Sequence, residues 1–192
     1  MNRRNFIITS SIGLAAIVAE RNAFSQSSKM RLMQQSGNQT DLNSIPNFLK
    51  LSDNVWTGGQ PPLETLPLLK ASGIKTIINL RVHSEYNGAE EEAKAKELGL
   101  RYINIPVVYN QPKNEDATEF LRVTDEQLKN GPVFLHCTAA IRAGAFWMIR
   151  RMLRDGWSYD QALEEANRIG LRNRQHLIDF AKQYVEQHQK KK

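Results

Sequence analysis

Apolar and polar positions along this chain follow two periods, and the period switches repeatedly between Phe48 and Gln187. The segments "FLKLS" (Phe48–Ser52) and "NVWTGG" (Asn54–Gly59) read as strands on either side of a Ser-Asp-Asn turn. Pro61-Pro62 then opens a helical pattern through Leu63, Leu66, Leu68 and Leu69, which Gly73 closes. The β-branched run "IKTIINL" (Ile74–Leu80) reads as a buried strand. "GAEEEAKAKELG" (Gly88–Gly99) predicts a helix with carboxylates in its first turn and a glycine at its end. "RYINIPVV" (Arg101–Val108) is the next strand, and "NEDATEFLRVTDEQLKN" (Asn114–Asn130) the next helix, with Phe120, Leu121 and Leu128 at helical spacing. "PVFLH" is short and continuously apolar, as a central parallel strand should be.

Beyond it, Arg142 to Arg154 predicts a helix burying Phe146, Ile149 and Leu153. A further helix runs from Ser158, an N-cap candidate, to Ile169, and a last amphipathic segment covers Arg172 to Gln187. Alternation of this kind predicts one α/β domain over 45–188, with a central, mostly parallel sheet flanked by helices. A basic tail, 189–192, follows.

The N-terminal pattern differs. "MNRRNFIITSSIGLAAIVAERNAFSQ" has a basic start, an apolar stretch from Phe6 to Ala19, and small residues at Ala23 and Ser25. Thr9, Ser10, Ser11 and Gly13 interrupt the apolar stretch, which falls short of the roughly 20 apolar residues of a membrane span. Residues 1–25 therefore read as an export signal, cleaved before Gln26. Arg3-Arg4-Asn5-Phe6-Ile7 is similar to the bacterial twin-arginine pattern. An ordinary secretory signal and an uncleaved anchor are the alternatives, and all three place the domain outside the cytoplasm, periplasmic or otherwise exported. After cleavage no stable membrane insertion is expected. Residues 26–44, rich in Gln, Ser and Asn, read as a flexible linker.

At 192 residues and a net charge of +6, the chain suits a single globular domain with a mild attraction for anions. The basic residues form no dense stripe, which argues against nucleic-acid binding. His83, His176 and His188 have no partners at metal-ligand spacing, so neither metal nor cofactor is expected.

One cysteine is present, which excludes an internal disulfide and focuses attention on its setting. Cys137 follows the strand "PVFLH", at the boundary where ligands bind in open α/β sheets. Thr138, Ala139, Ala140 and Ile141 lead to Arg142 and Ala143 at the start of a helix. Backbone N–H groups and the positive dipole end make such a start an anion site, and the same field favours a thiolate. Arg142 adds a planar fork of donors. Cys137 is thus a candidate nucleophile. Strand alternation turns His136 to the opposite face, where it is expected to orient the strand end through a hydrogen bond.

This strand-His-Cys-loop-Arg-helix run resembles the signature of cysteine-based protein tyrosine and dual-specificity phosphatases. It is nearest the small bacterial branch named for β-lactamase hydrolase-like proteins. "VWTGGQPPLETLPLLKASGIKTIINLR", "AKELGLRYINIPV" and "GPVFLHCTAAIRAGAFWMIRRMLRDGWSYDQALEEANRIGL" carry the resemblance over most of the domain. It implies metal-independent hydrolysis of a phosphorylated small molecule or phosphoprotein. Cys137 would attack phosphorus, while Arg142 and the amides of Thr138, Ala139, Ala140, Ile141, Arg142 and Ala143 would hold the equatorial oxygens. A carboxyl from the loop after "RYINIPVV" would handle the leaving-group proton. Asn110 stands at the convenient early place there, so the assignment falls to Asp116, with Glu115 behind it; both also suit a helix N-terminus.

Three features depart from the pattern. The loop between Cys137 and Arg142 has four residues, where phosphatases of this kind usually have five; four is also typical of rhodanese sulfurtransferases. Ala140 stands near a common glycine position, and its Cβ resists a positive φ. Ala143 replaces the hydroxyl residue that many relatives carry after the arginine, which would slow release of the thiolate. A rhodanese-like sulfurtransferase and a catalytically weak phospho-ligand or partner-binding domain therefore remain as alternatives, and the oligomeric state stays open.

Overall fold

The structure is a computed structural model that describes residues 41–86 and 88–189. The export segment 1–25, linker residues 26–40 and tail residues 190–192 lie outside the described residues. The last linker residues are ordered by a local cap. Asp41 accepts a hydrogen bond from the Asn43 N–H (3.2 Å) and starts a 3-10 turn over Leu42–Ser44, after which Ile45 is fully buried.

Five strands form one sheet: β1 (Leu49–Lys50), β2 (Val55–Gly58), β3 (Thr76–Asn79), β4 (Arg101–Asn104) and β5 (Val133–His136). Their spatial order is β1-β2-β5-β3-β4; β1 runs antiparallel to β2, and every other pairing is parallel. The expected α/β class and mostly parallel sheet are what the chain adopts. β5 is central, with Leu135 opposite both Thr57 and Ile78.

Side chains alternate strictly across this sheet. Trp56, Ile77 and Phe134 face helices α1 (Leu66–Ala71) and α2 (Gly88–Glu97), joined by Ile45, Leu66, Leu69 and Ala95. Val55, Ile78, Val133 and Leu135 face the larger layer. That layer comprises α3 (Asn114–Asn130), α4 (Ile141–Arg154), α5 (Tyr159–Ile169) and α6 (Gln175–Gln189). α4 is its centre. Its residues from Arg142 to Ile149 are all buried, because β5, α5 and α6 surround its first two turns.

Several details differ from the sequence pattern, and the strands are generally shorter than the apolar runs that predict them. β4 ends at Asn104 rather than Val108, because Ile105 and Val107 leave the ladder of β4 while their N–H groups donate to Asn79 and Leu80 carbonyls. α6 starts at Gln175 rather than Arg172, because Arg172 and Asn173 adopt positive φ and make a turn. Leu153 is only half-buried, whereas Phe146 and Ile149 are fully enclosed.

Candidate active site

β5 delivers its last residues to opposite faces. His136 lies on the α1–α2 side, stacked on Phe134 with ring centroids 5.5 Å apart. Its Nε2 sits 2.9 Å from Oε1 of Glu91 on α2, and both side chains are almost completely buried. Asn79 Nδ2 and the Tyr102 hydroxyl donate to the other Glu91 oxygen, each at 3.2 Å. Burial alone would raise the Glu91 pKa, but His136, Gln60 and the Tyr102 hydroxyl together hold it below the ordinary range. Glu91 is thus the side chain that faces His136, but the contact is one of proximity: neither ring nitrogen makes a hydrogen bond to a described residue, so the expected orienting hydrogen bond is not formed. A buried polar network joins the carboxyl ends of β5 and β3 to α2.

Cys137 lies on the opposite face, against the large core, and is 1% exposed. Thr138 to Ala140 then turn the chain into α4. Ala140 takes φ 62° and ψ 3°, left-handed geometry that costs an alanine on the order of 1 kcal/mol. The Cβ does not prevent the turn. Ala140 is fully buried, and Gly170 packs so closely that a Cβ there would lie 3.1 Å from the Ala140 methyl.

Two outer contacts orient the loop peptides. The Gln60 N–H donates to the Thr138 carbonyl (3.1 Å), and Asn47 Nδ2 donates to the Ala139 carbonyl (3.1 Å). A trans peptide therefore turns the Ala139 N–H away from Gln60. At the start of α4 no side chain caps the helix and no acidic residue occupies the first turn. Its leading N–H groups and its dipole are left for an anion.

The Gly-Gln-Pro element of the sequence acquires its role here. Gly59 forms a bridge with Ala139, and a Cβ at Gly59 would stand 2.7 Å from the Thr138 carbonyl oxygen. Only glycine permits this approach between the β2 end and the cysteine loop.

Arg142 is almost fully buried, and its fork is occupied. Nη1 donates to Glu85 Oε1 (2.6 Å) and to the Val107 carbonyl (2.8 Å). Nη2 donates to Glu85 Oε2 (2.5 Å) and to Thr138 Oγ1 (3.1 Å), while the Thr138 hydroxyl donates to Glu85 Oε2 (3.0 Å). Burial works against the charge on Arg142, yet Glu85 and the Cys137 sulfur hold its pKa above the usual arginine value. Hydrogen bonds from Arg142, set against a smaller opposing effect of burial, draw the Glu85 carboxyl down to about 2. Glu85, Tyr109, Cys137, Thr138, Ala139, Ile141 and Arg142 line the resulting cavity, of about 330 Å³.

The structure thus brings together Cys137, Thr138, Ala139, Ile141 and Arg142 around one cavity, with Ala140 shaping the turn and Ala143 buried behind it. Asp116 lies elsewhere. Its Oδ2 accepts from the Lys113 N–H (2.9 Å) at the start of α3, and its carboxylate is absent from the cavity lining. The carboxylate that does line the cavity, Glu85, escapes a reading centred on the Cys-to-Arg loop. Its place follows from the strand order: β3 neighbours β5, so the residues beyond Leu80 emerge beside the cysteine loop.

Comparisons with known proteins agree with this geometry. The dual specificity phosphatase TpbA of Pseudomonas aeruginosa is 24% identical over 140 residues, covering 72% of this chain and 61% of that protein. The β-lactamase hydrolase-like protein of Agrobacterium fabrum is 30% identical over 109 residues, 55% of this chain and 25% of that protein. The chain therefore spans only part of each relative. A crystal structure of a cysteine-to-serine TpbA variant in complex with phosphotyrosine shares the fold, with a TM-score of 0.60 and 19% identity. That match covers 77% of this chain and 94% of the other. The family described as DSP-PTPase phosphatase fused to NAD+ kinase matches residues 26–187, and to that family this chain belongs.

Proposed function

We propose that this chain is a metal-independent phosphomonoester hydrolase of the tyrosine and dual-specificity type, acting through a phosphocysteine. The observation that carries the reading is the fork of Arg142, which grips a carboxylate in two parallel hydrogen bonds beside Cys137 and an uncapped helix start. A phosphoryl group offers the same pair of acceptors. The Cys137 thiolate attacks phosphorus, an S–P bond forms, and the ester P–O bond breaks. Arg142 and the loop amides stabilise the equatorial oxygens as charge builds. Water then displaces the thiolate and releases inorganic phosphate.

The leaving oxygen needs a proton, and the reading gives that part to Asp116. The segment between Tyr109 and Asp116 must close over the substrate, releasing the Lys113 N–H, to bring the carboxyl in. Tyr109 and Ile141 form apolar walls that suit an aromatic ester. Similarity to TpbA, crystallised with phosphotyrosine, supports a phosphorylated substrate. The proposal also keeps residues 1–25 as an export signal and so places the enzyme in the periplasm.

Folded, reduced protein should hydrolyse p-nitrophenyl phosphate in the presence of a chelator, with vanadate inhibiting. Failure to do so, combined with sulfur transfer from thiosulfate to cyanide, would replace the proposal by a sulfurtransferase.

A further inference from the structure

The cavity beside Cys137 already holds an anion, and that anion is part of the chain. Glu85 reaches it from a single 3-10 turn, His83–Glu85, which follows β3. Its carboxylate makes paired hydrogen bonds with Arg142 and takes the Thr138 hydroxyl as well, the contacts an ester oxyanion would make. A ligand must displace it. The side chain remains 28% exposed, so a path to solvent is open.

A second arginine stands ready for the displaced group. Arg81, two residues beyond β3, is 7% exposed, and its guanidinium lies over the Tyr86 ring at 4.5 Å. Nη1 donates to Gln60 Oε1 (2.6 Å) and Nη2 to the Glu85 carbonyl. Its Nε is buried, has no hydrogen-bond partner among the described residues, and lies 3.7 Å from Glu85 Oε2. A modest rotation transfers the carboxylate from Arg142 to this waiting donor.

Displacement has an electrostatic rule. Glu85 is tethered, so its effective concentration at the fork is high. A monoanionic head replaces one negative charge with one and must overcome the tether without compensation. A dianionic head brings an extra charge to Arg142 and the helix start, where charge-assisted bonds are strongest. We propose that Glu85 is a specificity-determining residue, a tethered competitor that moves between Arg142 and Arg81 and yields the oxyanion position to dianionic monoesters. It disfavours monoanionic diesters and sulfate esters. This rests on the phosphatase reading of the same cavity.

The test uses two isosteric ligands that are not turned over, phenylphosphonate and benzenesulfonate, in slightly alkaline buffer where the first is a dianion and the second a monoanion. Affinities for the full chain are measured by calorimetry. The parent protein should prefer the phosphonate. In Glu85→Gln both ligands should bind more tightly, the sulfonate more so, narrowing the preference by about tenfold. Glu85→Asp, too short to span the fork in the same way, should fall between, which provides a second reading if the glutamine variant folds poorly. An unchanged preference, or weaker binding of both ligands in Glu85→Gln, would overturn the proposal. Binding needs no turnover: phosphonate binding without hydrolysis of any aryl phosphate would remove the enzyme reading and leave this one standing.

Discussion

Glu85 and Arg142 meet as a bidentate pair, Oε1 to Nη1 at 2.6 Å and Oε2 to Nη2 at 2.5 Å, over the sulfur-bearing loop. This pair links the chemistry of the cavity to the stability of the fold. The Glu85 carboxyl is held at about 2 against an ordinary value of 4.5. A depressed folded-state pKa adds stability that is complete above the unfolded value and is lost as the folded value is approached from above. The contribution of Glu85 should therefore fade as pH drops from 4.5 towards 2. Urea melts across that window should show a shallower loss for Glu85→Gln than for the parent. Equal slopes would mean that the pair does not hold in solution. Glu91 adds a loss of the same sign, and it is common to both proteins.

Gly59 yields a separate prediction. In Gly59→Ala the new Cβ would lie 2.7 Å from the Thr138 carbonyl oxygen and 3.0 Å from that of Pro46, both backbone atoms. Either the β2 end or the cysteine loop must shift, at a cost of about 1–3 kcal/mol. Vanadate inhibition should weaken as the loop is displaced. Gly73→Ala is the control: its φ of +98° makes alanine strained, but the space around it is open. That variant should lose stability while its inhibition by vanadate stays as in the parent. If both variants bind vanadate like the parent, the Gly59 contact does not shape the loop.

For Asp116, two roles separate by leaving group. A proton donor matters most when the departing alkoxide is basic, and general acid catalysis typically contributes about 10²–10⁴-fold. Asp116→Asn should therefore slow hydrolysis of phenyl phosphate far more than that of p-nitrophenyl phosphate. Equal rates relative to the parent on both substrates would confine Asp116 to the hydrogen bond it makes with the Lys113 N–H.

Much of this architecture was legible in the chain because buried strands and amphipathic helices carry local signals. β3 and β5 are short apolar runs, and both end where the site begins. Cys137 and Arg142 stood out because a strand, a short loop and a helix start follow one another directly in sequence. Ala140 shows the limit of a local rule. An isolated alanine disfavours φ 62°, yet burial against Gly170 and the outward-tied carbonyls of Thr138 and Ala139 fix that turn. The partners of the site were hidden for a different reason. Glu85 and Glu91 reach Arg142 and His136 across many residues of intervening chain, and only the strand order β2-β5-β3 brings them together. The same holds for Gln60, whose N–H supports the loop from the end of β2.

The central claim is that Cys137 carries the phosphoryl group between the two halves of the reaction. Ala143, which offers no hydroxyl beside the thiolate, should let that intermediate accumulate. Protein mixed with p-nitrophenyl phosphate, quenched within the first turnover and digested, should yield the peptide containing Cys137 with the added mass of one phosphoryl group. Cys137→Ser should yield no such thiophosphate and no turnover. Hydrolysis that persists in Cys137→Ser, with no phosphorylated Cys137 peptide from the parent, would contradict the account.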